Sequence, residues 1–406
     1  MKSRNGEDAG AGIRAIRLGD SPGDIQRAAE ILKNGGLAAF PTETVYGLGA
    51  DAFNIRALAR VFEAKGRPRF DPLIIHIASP DMLEGLADLG ALSPRLRPLP
   101  AKLAAAFWPG PLTLVLPKRP EVPDLATAGL PTVAVRFPAH PAAQKLIALS
   151  SGAVAAPSAN PFGRLSPTRA SHVLESLGNK IDCVIDGGPC SVGVESTVLS
   201  LAGTGELPRI LRPGGISREQ LERVIGPAAC GGAAEAPSEV LSPGMLKSHY
   251  APKTPLTLHG PEEMSALPFL PGEGYLFFSE TTRDTWLKRN AEKIPGEDLR
   301  RIRLKSPGNA PDDDVERIRL KSSGEDLKRI RLTSPAAGGP AADAGPAILV
   351  LSRRGDAVEA AARLFESLHL LDRAGLRRIH AEVLPPEGLG AAVNDRLRRA
   401  AGAFAC

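Results

Sequence analysis

Lys65 and Arg67 flank Gly66 immediately before Pro68. Two fixed cations so close suit an anion with several oxygens, the arginine as a planar fork and the lysine as a point charge. In an extended segment, alternation would send them to opposite faces. A turn at Gly66 lets both converge on one anion. Upstream, Pro-Thr-Glu-Thr-Val-Tyr-Gly-Leu-Gly (residues 41–49) follows the apolar run Leu37-Ala38-Ala39-Phe40. That run reads as a buried strand, and polar residues at a strand mouth are positioned chemistry more often than packing. Downstream, His76 sits in the apolar run of residues 73–77. The chain carries no Gly-x-Ser-x-Gly elbow and no Walker A loop.

The elements that hold these residues follow from periodicity. Ser21 is an N-cap, Pro22 suits a first helical turn and Asp24 favours the dipole. Ile25, Ala28, Ala29 and Leu32 give that helix its apolar face, and Gly35-Gly36 stops it. Strand-like apolar runs recur at 73–77, 112–116, 133–135, 154–156, 183–185 and 197–201, with helical segments between several of them. This predicts a flexible charged tail over residues 1–20 and a mixed α/β domain over 21–226. Residues 227–255, rich in Ala, Gly, Pro and Ser, read as a linker. A second, smaller α/β domain is predicted over 256–406, with strands at 275–278 and 347–351 and a helix over about 356–371. In that helix Val358, Ala361, Ala362, Phe365, Leu368 and Leu371 form a core-facing stripe. Within this domain Arg-Ile-Arg-Leu recurs at Arg301, Arg317 and Arg329. From 296 to 335 ten basic residues face eight acidic ones. Such balanced charge attracts phosphate weakly, so the repeats predict a solvated insertion over about 290–345 rather than an RNA-binding arm.

Composition sets bounds. At 406 residues the chain has room for two or three domains. Its net charge of +5 is compatible with anionic substrates or RNA but decides nothing. The four cysteines show no Cys-x-x-Cys spacing, which argues against zinc and a disulfide framework and for a reduced cytoplasm. No run approaches the ~18 apolar residues of a membrane span, and residues 1–20 lack the apolar core of a signal peptide. No membrane association is expected.

Further motifs then narrow the reading. They are Phe-Trp-Pro-Gly-Pro-Leu-Thr (107–113), Thr-Val-Ala-Val-Arg-Phe-Pro (132–138), Ala-Ala-Pro-Ser-Ala-Asn (155–160) and Gly-Val-Glu-Ser-Thr-Val (193–198). Leu-Arg-Pro-Gly (211–214) and Ser-Pro-Gly-Met with His-Tyr-Ala-Pro (242–252) complete the series. Together with residues 40–77, this order resembles the threonylcarbamoyl-AMP synthases in their long form. Residues 362–372 resemble the accessory C-terminal domain. The resemblance implies a twisted open sheet of YrdC type followed by a Rossmann-like domain.

The reaction it implies joins L-threonine, bicarbonate and ATP into threonylcarbamoyl-adenylate with release of pyrophosphate, Mg²⁺ accompanying the ATP. That is a nucleotidyl transfer, the first step towards threonylcarbamoyl-adenosine at position 37 of ANN-decoding tRNAs. Its product would pass to a downstream threonylcarbamoyl transferase complex, with at most weak contact to tRNA. By the same resemblance, Lys65, Arg67, Ser158 and Asn160 surround the nucleotide phosphates. Thr44, His76, Arg136, Ala156 and Ser196 hold L-threonine, Arg136 taking its carboxylate with two hydrogen bonds. Arg67, Asp71, Thr132, Ser158, Ser166, Arg212 and Tyr250 touch ATP, and Tyr250 makes the linker a lid. Asp71 departs from the asparagine common in this family. A carboxylate there would repel triphosphate unless it ligates Mg²⁺ or accepts a ribose hydroxyl. A competing reading is an RNA-binding or ribosome-associated factor of YrdC type. A backbone-tracking groove has no use for Arg136, His76 and Ser196, and it wants stacking aromatics that this chain, at 4%, lacks. Carbamoyl transfer of the hydrogenase-maturation type would need zinc fingers that the cysteines do not form.

Overall fold

A computed structural model describes residues 15–202, 206–230, 250–291, 293–294, 303–304, 316–317 and 347–402. The helix Pro22–Lys33 begins as its sequence dictates. Ser21 Oγ accepts the Asp24 N–H at 3.2 Å, and Ile25, Ala28, Ala29 and Leu32 are its buried face. Eleven strands form the first sheet. In spatial order they are Ile16–Leu18, Cys183–Ile185, Ala38–Phe40, Gly47–Asp51, Ala153–Ala155, Ile74–Ile77, Thr132–Arg136, Leu112–Pro117, Thr197–Ser200, Arg209–Arg212 and Ala229–Cys230. The sheet mixes parallel and antiparallel pairs. Ile16–Leu18 lies inside the stretch expected to be a tail. It pairs in parallel with Cys183–Ile185 and buries Leu18, so the ordered domain starts before residue 21.

Side-chain alternation divides the central strands between two tasks. Ile75, Ile77, Val133, Val135, Leu112, Leu114 and Leu116 enter the large core. Their neighbours Ile74, Ala134 and Val115 form a separate apolar patch with Val198 and Leu211, on the face that also carries His76, Arg136 and Thr113. A register shift between Ile210 and Arg212 interrupts the last antiparallel pair. It brings the adjacent Leu211 and Arg212 to the same side, a known use of a bulge.

The second sheet has four parallel strands in the order Leu256–His259, Arg378–Glu382, Glu273–Ser279 and Ala347–Ser352. Arg303–Leu304 and Glu316–Arg317 extend its edge beyond Ala347. Most of the predicted insertion, including the third Arg-Ile-Arg-Leu copy, lies outside the described residues. The helix Ala357–Arg373 packs Ala361, Phe365, Leu368 and Leu371 inward as expected, whereas Val358 is 59% exposed. Val358 occupies the first turn, two residues past the Asp356 N-cap, on the face away from the buried Ala360 and Ala361.

The two domains share one core. Val45, Leu165 and Val194 of the first pack with Tyr250, Leu364, Phe365 and Leu397 of the second part of the chain. Gly193 sits at this seam with φ +74, and a Cβ there would meet the Ala361 carbonyl oxygen at 2.4 Å and Ala362 Cα at 2.5 Å. No flexible side chain can yield, so Gly193→Ala is expected to cost about 1–3 kcal/mol through strain and overpacking. Calorimetry should show a lower Tm, and limited proteolysis should show faster cleavage between the domains. An unchanged Tm would mean the seam is soft.

Candidate active site

A cavity opens on the face of the first sheet opposite the large core. The parallel pairing of Ile74–Ile77 with Thr132–Arg136 places His76 directly beside Arg136, and both line the cavity with Thr44, Ser196, Arg212 and Tyr250. Its cations are buried, and each is held by fixed partners. Arg136 gives Nη2 to Glu43 Oε1 at 2.6 Å and Nε to the Gly110 carbonyl at 3.3 Å. Glu43 takes the Ala139 N–H on its other oxygen at 3.0 Å. Arg212 donates to the Ser196 carbonyl at 2.9 Å and to its hydroxyl at 3.2 Å. Arg67 donates to the carbonyls of Asp71 and Pro72 at 3.1 and 2.8 Å, and its Nη2 lies 2.8 Å from Asp71 Oδ1. Unpaired burial of a charge would be costly; pairing and hydrogen bonding offset much of it.

The cluster expected to hold L-threonine comes together. Thr44, His76, Arg136, Ala156 and Ser196 all line the cavity. Thr44 and Thr42 exchange a 2.8 Å hydroxyl bond, and Thr42 ties the turn to the Val45 carbonyl. Ser196 shares its hydroxyl with Thr113 at 2.8 Å. The Ala156 N–H is spent on the Ile74 carbonyl, which leaves only its own carbonyl for a ligand. His76 is 3% exposed, and its Nδ1 has no hydrogen-bond partner. Burial, reinforced by the Arg136 charge, lowers its pKa to about 3, so the ring is neutral.

The phosphate set is arranged differently from the simplest expectation. Lys65 ends the helix Ile55–Lys65, and Gly66 caps it in the left-handed region at φ 60. This turn carries Arg67 to the cavity but leaves Lys65 behind it. The Lys65 ammonium is buried and donates to the carbonyls of Ser158 and Asn160. Burial and the neighbouring Arg67 push its pKa well down, with Asp71 opposing. Lys65 therefore braces the loop that presents Ser158 to the cavity. Asn160 Nδ2 donates to the Pro161 and Arg164 carbonyls, while its buried Oδ1 has no partner. Asp71 is fully buried against Arg67. It does not line the cavity, its two oxygens have no hydrogen-bond partner among the described residues, and burial pushes its pKa up against the opposing Arg67 charge.

Thr132 and Ser166, like Lys65, Asp71 and Asn160, lie off the cavity lining. Thr132 is four residues before Arg136 on the same strand face, roughly 13 Å away, with Ala134 of the apolar patch between them. Ser166 Oγ is committed to Glu195 Oε1 at 2.6 Å. Tyr250 does reach the cavity, held at φ 61 and 1% exposed. The acidic partners Glu43 and Glu195, together with Thr42 and Thr113, escaped sequence reasoning, although Glu43 and Glu195 each lie next to an expected residue, Thr44 and Ser196. Among the described residues no group of three His, Cys, Asp or Glu side chains could hold a metal ion, and no helix is long and apolar enough to cross a membrane.

Two buried histidines generate a pH prediction. Burial lowers His76 to about 3 and His369 to about 4, the latter against a 3.1 Å contact to the Ser166 carbonyl. Unfolded histidine titrates near 6.5. As pH falls from about 6.5 towards 4, the unfolded chain takes up protons that the folded chain refuses. Stability should therefore drop, by up to about 1.4 kcal/mol per pH unit for each group. Melting curves across this range should be shallower in slope for His369→Gln than for the parent; equal slopes would contradict the assignment.

Comparison with known proteins agrees with this geometry. Residues 30–214 match the Sua5–YciO–YrdC family, described as telomere recombination, and residues 216–402 match the threonylcarbamoyl-AMP synthase C-terminal domain. The threonylcarbamoyl-AMP synthase of Pyrococcus abyssi is 41% identical over 93% of this chain and 94% of its own. That of Bacillus subtilis is 48% identical over 58% of this chain and 66% of its own. A crystal structure of P. abyssi Sua5 complexed with L-threonine superposes with a TM-score of 0.71 at 38% identity, covering 96% of this chain and 97% of the other. With both domains matched in order, a near full-length relative, and the same two-sheet architecture, this chain belongs to the threonylcarbamoyl-AMP synthases, a family of nucleotidyl-transferring enzymes.

Proposed function

We propose that this chain condenses L-threonine, bicarbonate and ATP into threonylcarbamoyl-adenylate and pyrophosphate, the step that begins threonylcarbamoyl-adenosine formation at position 37 of ANN-decoding tRNAs. The observation that carries this reading is the pairing of Arg136 with a neutral, unpartnered His76 at one end of a cavity whose other cations are Arg67 and Arg212. Glu43 and Gly110 occupy Nη2 and Nε of Arg136. Nη1 remains for the threonine carboxylate, while His76 Nδ1 offers a hydrogen bond to its hydroxyl.

The chemistry needs no enzyme nucleophile. The threonine amine bonds to the carbon supplied by bicarbonate, with loss of a proton and water. The resulting carbamate oxygen attacks the α-phosphate, the bond to the bridging oxygen breaks, and pyrophosphate leaves with the electron pair. Two anions must meet, and a third must depart. Arg67 and Arg212 neutralise that charge in a site where fixed donors outperform water. Lys65 keeps the Ser158 loop in place, and Ile74 gives the cavity an apolar wall. Mg²⁺ would arrive on the triphosphate, since the described residues offer it no carboxylate cluster. The adenylate would pass to a threonylcarbamoyl transferase complex in the cytoplasm, with tRNA contact weak if present.

Pyrophosphate release measured with each component omitted tests the reading, and release should require ATP, threonine and bicarbonate together. Robust release from ATP alone would indicate a nucleotide hydrolase. Valine should be discriminated against by about 1–3 kcal/mol, because it leaves His76 and the hydroxyl cluster unpaired. Serine, which keeps the hydroxyl, should be the better substitute. Arg136→Ala should abolish binding of all three, read by calorimetry.

A further inference from the structure

The C-terminal domain sends Arg396 to the cavity wall of the catalytic half. Arg396, on the helix Leu389–Ala400, is fully buried. Its Nε donates to Glu195 Oε2 at 2.8 Å and its Nη1 to the Pro213 carbonyl at 2.7 Å. Asp395 Oδ2 lies 2.9 Å from the same Nη1. The guanidinium carbon sits 5.5 Å from the centroid of the Tyr250 ring, within cation–π range. Glu195 and Tyr250 both line the cavity, and Glu195 belongs to the first domain, within the 30–214 match. Nη2 of Arg396 is buried without a hydrogen-bond partner among the described residues, a cost that a purely structural contact would normally avoid.

Building on the function proposed above, we propose that Arg396 is a positioning residue for adenylate formation. Through Glu195 and Tyr250 it fixes the wall of the cavity that faces Arg212, so the C-terminal domain is part of the active site. The chain of contacts is short. Glu195 accepts from Arg396 on one oxygen and from Ser166 on the other. The next residue, Ser196, is held by Arg212 through both its carbonyl and its hydroxyl. A shift of Glu195 therefore moves Ser196 and Arg212 together, whereas Arg136 and His76, on strands on the far side of the cavity, keep their own partners. The consequence is a split: of the threonine set only Ser196 is displaced, so loss of Arg396 lowers turnover far more than threonine affinity.

Arg396→Met in the full-length chain separates the outcomes. Threonine affinity by calorimetry should stay within about threefold, while kcat for pyrophosphate release should fall about tenfold to a hundredfold, the scale for misplacing reacting groups. Arg396→Lys, which keeps the charge but loses the fork, should recover part of that loss. Arg396→Met leaves Glu195 buried and uncompensated, so its Tm should fall. The double variant with Glu195→Gln should regain Tm but not kcat. A structural role alone would restore both together, and that result would overturn the inference, as would an unchanged kcat in folded Arg396→Met. A parent protein that neither binds threonine nor releases pyrophosphate would sink the functional reading and this one with it. An active parent with unaffected variants would sink this one alone.

Discussion

The structure depends on keeping several guanidinium groups charged and close together away from water. Arg67, Arg136, Arg212 and Arg396 are all below 10% exposed. Removing each from solvent is expensive, and like charges repel. The fold answers with one anchor set per cation: Asp71 and two carbonyls for Arg67, Glu43 and Gly110 for Arg136, Ser196 for Arg212, and Glu195 and Pro213 for Arg396. Burial alone would raise Glu195, yet Arg396 and Arg212 hold it below the usual carboxylate range. The anchors compensate the cations without using up every donor, which is the condition for a dry site that still attracts anionic substrates.

Backbone geometry supplies much of that anchoring. The Trp-Pro-Gly-Pro turn contributes the Gly110 carbonyl to Arg136, and the Pro111 carbonyl accepts the Thr197 N–H beside Ser196. Carbonyls cannot titrate, so they hold a cation at any pH. Lys65 shows the converse use: its ammonium pulls two loop carbonyls together. The motifs around the cavity thus act as a frame as much as a contact list, and neighbouring residues in one motif often do different work.

Much of this was legible in the chain before folding. Helix caps, the central strands and the threonine cluster follow from pattern and motif, because a buried strand and a polar mouth leave strong periodic marks. The misses have physical causes. Ile16–Leu18 is three residues long and carries an exposed Arg17 between two apolar neighbours, so it looks like the charged stretch before it. Gly47–Asp51 contains two glycines, which read as a turn, yet sheet pairing on both sides overrides that preference. Lys65 and Arg67 looked equivalent because sequence shows spacing and not which side of a left-handed turn faces the ligand. Glu43 and Glu195 were hidden because a carboxylate near an anion site looks wrong until its arginine partner is known. Arg396 carried no motif at all; only the docked domains reveal it.

The shared core has a consequence for how the molecule is made. Val45, Leu165 and Val194 are synthesised long before Phe365 and Leu397, the residues that cover them. A growing chain that has completed its first sheet therefore carries an uncovered apolar seam beside a half-walled cavity, until residues 364–397 leave the ribosome. Domains emerging in sequence usually fold as units; here part of the first domain's apolar surface waits for the second. The cavity wall should thus be completed late, when the helix Leu389–Ala400 seats Arg396 against Glu195.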